Sequence, residues 1–128
     1  MLKNKSILLP KSDSDGIRVC VMNSLHPEYE FDIWLPSLSP SRQLIEDYII
    51  NQIINWSEFS QKYRAEQQLK NNQEILTLLI NLIKDTHQNN RNVTLLCFEE
   101  TSSGCHRQLI IEEIVKIDHS ITQLISSI

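Results

Sequence analysis

The residues with chemical potential gather in one run, Cys97-Phe98-Glu99-Glu100-Thr101-Ser102-Ser103-Gly104-Cys105-His106-Arg107. A cysteine at a helix start meets unpaired backbone N–H groups and the positive end of the helix dipole, both of which favour a thiolate. Such surroundings, with cationic neighbours, lower a thiol pKa and make the sulfur a nucleophile. Cys105 is placed for this, His106 for taking or returning its proton, and both are the candidate catalytic residues. The Arg107 fork and the same N–H groups could instead hold a phosphate or carboxylate.

Each residue also has a plainer reading, and the sequence leaves both open. Cys97 lies within an apolar stretch and reads as a small core residue. Cys105 could be packed at a helix start. Arg107 could pair with Glu99 or Glu100, making Cys-His-Arg a latch between strand and helix. Because the two glutamates repel an anion, an anionic ligand needs Arg107 to neutralise them.

Other chemistries lack their residues. Seven residues separate Cys97 from Cys105 and no paired C-x-x-C knuckle occurs, so no metal is expected. Neither a P-loop nor a dinucleotide glycine fingerprint is present, and no cofactor is expected. Arg107 follows Cys105 by two positions, unlike the Cys-x-x-x-x-x-Arg loop of tyrosine phosphatases.

The elements that must position these residues follow from periodicity. Ile7 to Leu9 is a short apolar opening, followed by turn chemistry from Pro10 to Gly16. Ile17 to Met22 is nearly continuous in β-formers and reads as a buried strand. A polar loop with Asn23, His26 and Pro27 leaves its end, and Tyr29 to Leu35 is extended or irregular. Ser39-Pro40-Ser41 starts a helix carrying Leu44, Ile45, Tyr48 and Ile49. A second helix begins at Asn55 or Ser57, with Trp56, Phe59, Tyr63 and Glu66 near one face. Core packing is the favoured role of that stripe. A third helix spans about Gln73 to Thr86 and stops at Asn89-Asn90-Arg91-Asn92.

Val93 to Phe98 is the second apolar strand and should be central. The last helix starts near Cys105, with Leu109, Ile110, Glu113, Ile114 and Ile117 marking one face. Ser120 to Ile128 is a final short strand or an irregular end. Strand, helices, strand, helix implies crossovers and a mostly parallel sheet. In such sheets ligands bind beyond the strands' carboxyl ends. The Asn23 loop, with His26, therefore joins Glu99, Cys105, His106 and Arg107 as the candidate site.

Composition agrees with one α/β domain over residues 1–128, a single mostly parallel sheet with helices packed on it in three layers. The chain is 41% apolar and 22% charged, with two glycines and four prolines, too few for a turn-rich all-β sandwich. A net charge of −4 and a pI near 5.5 disfavour binding to nucleic-acid backbones. No apolar run approaches the roughly 20 residues that span a bilayer, and Met1-Leu2-Lys3-Asn4-Lys5 lacks a signal-peptide core. The expected compartment is the cytoplasm, with reduced thiols. Oligomeric state is not legible.

The combination of motifs resembles a known family. Cys97-Phe98-Glu99, a short loop and Cys105-His106-Arg107 are similar to the C-x-E and C-H-R signature of the domain of unknown function 488 family. Asp15-Gly16-Ile17-Arg18-Val19 resembles its first-strand motif. Trp34-Leu35, Leu38-Ser39-Pro40-Ser41 and Trp56-Ser57-Glu58-Phe59 with Tyr63 resemble its middle blocks. Coverage runs from about Asp15 to Glu113. The resemblance implies an α/β sandwich with Cys-His-Arg as its hallmark, and carries over no activity. Relatives commonly place an Arg just after the first strand, where this chain has Asn23 and Ser24. His26 is the candidate substitute there.

Overall fold

The computed structural model describes residues 1–98 and 105–126. Four strands, β1 (Leu2–Ser6), β2 (Ile17–Cys20), β3 (Ile33–Trp34) and β4 (Val93–Cys97), form one all-parallel sheet in the order β1-β4-β2-β3. The central position expected for Val93 to Phe98 is observed, with β4 between β1 and β2. Hydrophobic β-formers fit there because both faces of an interior parallel strand are covered.

Among the described residues four α-helices pack with the sheet: α1 (Arg42–Ile45), which runs into a π-helical turn over Glu46–Ile50, α2 (Trp56–Lys70), α3 (Gln73–Gln88) and α4 (His106–Ile117). Each has a local cause. The Ser41 hydroxyl accepts from Leu44 N–H at 3.2 Å and starts α1. Asn55 and Glu58 form a reciprocal capping box that starts α2, which ends at left-handed Asn71 (φ 52°). Leu76, Leu79, Ile80 and Ile83 give α3 a buried stripe, each side chain contributing about 1.5–3 kcal/mol by burial.

One main core forms where Val19, Val93 and Leu95 on the helical side of the sheet meet Phe59, Tyr63, Leu79, Ile83, Leu109 and Ile110. On the other side the covering layer is irregular chain: Ile7, Cys20 and Leu96 make a smaller cluster against Met22, Tyr29 and Phe31. No helix among the described residues is long and apolar enough to cross a membrane.

Two ends of the chain differ from the periodicity. A strand, Leu2–Ser6, precedes the short apolar stretch Ile7 to Leu9 and was not expected from the sequence; its backbone completes the ladder on β4, while Leu8 and Leu9 are exposed. Near the other end, His119–Leu124 is a 3-10 turn, and Ile125 makes a single parallel bridge to Leu2.

The Asp15-Gly16-Ile17-Arg18 motif has a structural basis. Gly16 is left-handed (φ +65°), and a Cβ there would lie 2.0 Å from the Asn92 carbonyl oxygen. Asp15 and Arg18 form a buried ion pair on the sheet side away from the helices.

Candidate functional site

The in-register pairing of β2 and β4 brings Val21, just past β2, beside the carboxyl end of β4. Cys97 is the last residue of β4, and its parity with Val93 and Leu95 turns it to the helical side. Cys105 is the extended N-cap of α4 (φ −120°, ψ 148°) and His106 its first helical residue. These elements therefore converge at one rim of the sheet.

The His106 ring is held at Nε2 by the backbone. Its Nε2 lies 2.8 Å from the Val21 carbonyl oxygen, which only accepts, so Nε2 carries a hydrogen. Nδ1 is consequently the atom available to the thiols. It stands 3.7 Å from Cys97 Sγ and 3.8 Å from Cys105 Sγ. A neutral ring can accept the proton of either thiol; once protonated it donates to a thiolate.

The Cys105 thiol lies well below the ordinary thiol range, chiefly because Cys97 S–H donates to its sulfur. Burial opposes the shift, and the His106 hydrogen bond, its charge and the Arg107 backbone N–H reinforce it. Cys20 is the contrast. It is fully buried on the other side of the sheet, and burial pushes its thiol up.

Cys97, Cys105 and His106 line a cavity of about 270 Å³ with Asn23, Ser24 and Ser39. Its remaining wall is apolar: Met22, Pro40, Ile45, Tyr48, Ile49, Ile50, Phe59 and Phe98. The π-helical turn places Tyr48, Ile49 and Ile50 on that wall, and such turns recur at functional sites. A second cavity of the same volume lies against α2, α3 and α4, but it holds no thiol or imidazole, and its Arg64 is engaged by Glu112 and Glu113.

The sequence-predicted residues separate into groups. Cys105, His106 and Asn23 are brought together at the cavity. Arg107 is fully buried and is not on the cavity lining, which among described residues contains no Lys or Arg. His26 is exposed, sits 5.6 Å from the Tyr29 ring and lies off the lining. Glu99, and with it the Glu99 or Glu100 pairing to Arg107, falls outside the described residues. Cys97 was read as core; it is buried, and it is also a member of the thiol–imidazole trio. Its place near the carboxyl end of the expected Val93 to Phe98 strand, where parallel sheets bind ligands, was the available signal.

The same trio is where a metal could be held. Its three donor atoms lie within 4.8 Å of one another, one donor short of a closed structural zinc set.

A family model described as the active DUF488-N3 subclade matches residues 3–117. The chain belongs to the DUF488 family. No curated protein and no solved structure gives a match to it. In this DUF488 domain the signature Cys-x-Glu and Cys-His-Arg segments thus contribute two sulfurs and one imidazole to the cavity.

Proposed function

We propose that this DUF488 domain is a thiol-dependent site in which Cys105 attacks a small ligand held in the apolar cavity. His106 takes the thiol proton at Nδ1 and keeps the resulting charge pair oriented through Val21. The observation that carries this reading is one imidazole, fixed at Nε2 by a backbone carbonyl, with Nδ1 within 3.8 Å of both sulfurs facing the cavity.

The ligand has an apolar body and one electron-poor atom that reaches Cys105. Any negative charge it carries would meet the first-turn N–H groups of α4, with Arg107 buried in that turn, since no Lys or Arg lines the cavity among the described residues.

Alkylation by iodoacetamide across pH 5 to 8 tests this. An ordinary thiol of pKa near 8.5 speeds up several hundredfold over that span. Cys105 is expected to change less than about threefold, and Cys105→Ser to abolish the flat component. A wild-type profile that climbs like a free thiol would sink the nucleophile.

A second reading has its own support. The 2.8 Å bond from His106 to Val21 ties α4 to the sheet, as a non-enzymatic latch would. That reading is left standing if the thiol titrates normally.

A further inference from the structure

The nucleophile reading uses Cys97 only as a hydrogen-bond donor, yet its thiol is as close to His106 Nδ1 as that of Cys105. All donor atoms of the trio lie within 4.8 Å, so the two sulfurs are neighbours. A disulfide brings such a pair to about 2 Å. One imidazole reaches both, which lets it serve two successive proton transfers without moving. The described cavity wall offers no charged side chain but does offer Met22, Tyr48, Phe59 and Phe98. That wall suits an uncharged, apolar or aromatic molecule.

We propose that Cys97 is the resolving thiol of Cys105, and that the pair reduces a small apolar disulfide. The inference rests on Cys105 being the nucleophile. In the first step the Cys105 thiolate attacks one sulfur of R–S–S–R. The substrate S–S bond breaks, a Cys105–S–S–R bond forms, and RS⁻ leaves with the proton from His106 Nδ1. The ring, now neutral, accepts the proton of Cys97. The Cys97 sulfur attacks the Cys105 sulfur, the mixed disulfide breaks, and the second RS⁻ leaves with that proton. The substrate gains two electrons and two protons, and the protein ends with a Cys97–Cys105 disulfide.

Cys20 is an internal control, since it lies on the opposite side of the sheet in a cluster with Ile7 and Leu96.

The test treats the folded full chain with a neutral dipyridyl disulfide, reading thiopyridone release and intact mass. Wild type is expected to release two equivalents, to lose two hydrogens, to carry no adduct, and to yield a cross-linked Cys97–Cys105 peptide that dithiothreitol reverses. Cys97→Ser is expected to release one equivalent and keep the pyridyl adduct on Cys105. The wild-type arm decides by itself should that variant fold poorly. An adduct retained on wild-type Cys105 while Cys97 stays a thiol, or adducts on both sulfurs, overturns the resolving role but leaves the nucleophile. No release from either protein removes the nucleophile, and the dithiol reaction with it.

Discussion

Two buried polar clusters occupy opposite sides of the same pair of central strands, and they differ in what answers their charge. Around Asp15 the answer is complete. Its carboxylate accepts from Lys5 Nζ and Ser12 N–H, both at 3.0 Å, and from the Arg18 guanidinium. Arg18 Nε in turn donates to the Glu30 carbonyl at 2.9 Å, and Thr94 Oγ1 to the Asp15 carbonyl at 2.7 Å. Around Cys105 a second thiol and an imidazole have their donor atoms within 4.8 Å of its sulfur, and all three residues line a cavity. A buried charge is therefore a poor sign of chemistry taken alone. What distinguishes the second cluster is that its two thiols and its imidazole line a cavity.

Removing a charge from the saturated cluster should break the comparison most forcefully. Asp15→Asn leaves the Arg18 guanidinium buried without its counter-ion and is expected to cost about 3–5 kcal/mol in urea unfolding. The alkylation profile of Cys105 in the protein that remains folded should not change. Acid gives an independent check. Burial pushes the Asp15 carboxyl up, but Ser12 N–H, Lys5 and Arg18 outweigh it and hold the group below its usual range. A depressed carboxyl stabilises the fold above its unfolded pKa, near 4, and that stability drains as pH falls through the lower folded value. Wild type should thus lose stability below pH 4 more steeply than Asp15→Asn. Parallel acid curves for the two proteins would remove the ion pair from the account.

The two clusters were also unequally legible. Both central strands and α3 were readable because long apolar runs at strand or helix period have few alternatives. The strand Leu2–Ser6 was not, since Leu-Lys-Asn-Lys-Ser has no β-former pattern and is held by pairing to β4, with Lys5 reaching Asp15. At the site, Cys105 and His106 were found from their types at a helix start. Arg107 was grouped with them, although it follows His106 on the helix, where successive residues point about 100° apart, and it is buried off the cavity lining. The partnership of Cys97 depended on a strand and a helix eight residues apart in sequence meeting at one rim. The apolar wall from the π-helical turn depended on a local widening that amphipathic periodicity does not encode.

A milder change separates latch from base within the second cluster. In His106→Gln the side-chain amide can still donate to the Val21 carbonyl, but the basic Nδ1 is gone. Stability should fall by about 1 kcal/mol or less, the scale of one hydrogen bond. The alkylation midpoint of Cys105 should rise toward the ordinary thiol range, because two of the influences that lower it come from His106. Retention of the flat profile would assign the low thiol pKa to Cys97 and the α4 backbone alone. A large loss of stability with the profile intact would favour the latch.

The smallest expected effect concerns the cavity wall. Ile50 is 71% exposed, yet it lines both the thiol cavity and an adjoining surface depression shared with Asn23, Ser24 and Arg42. An exposed residue of this kind contributes little to the core, so Ile50→Ser should change stability by no more than about 0.5 kcal/mol. If the wall selects apolar ligands, losing part of that contact should slow alkylation by a bulky apolar maleimide about two- to fivefold, which corresponds to roughly 0.5–1 kcal/mol of lost apolar contact. Iodoacetamide, too small to use the wall, should react at the wild-type rate. The ratio of the two rates isolates recognition from thiol reactivity, because any change in Cys105 itself moves both reagents together. Equal slowing would place Ile50 in the support of the cluster, and no slowing would mean that small molecules reach the sulfurs without touching the π-helical turn.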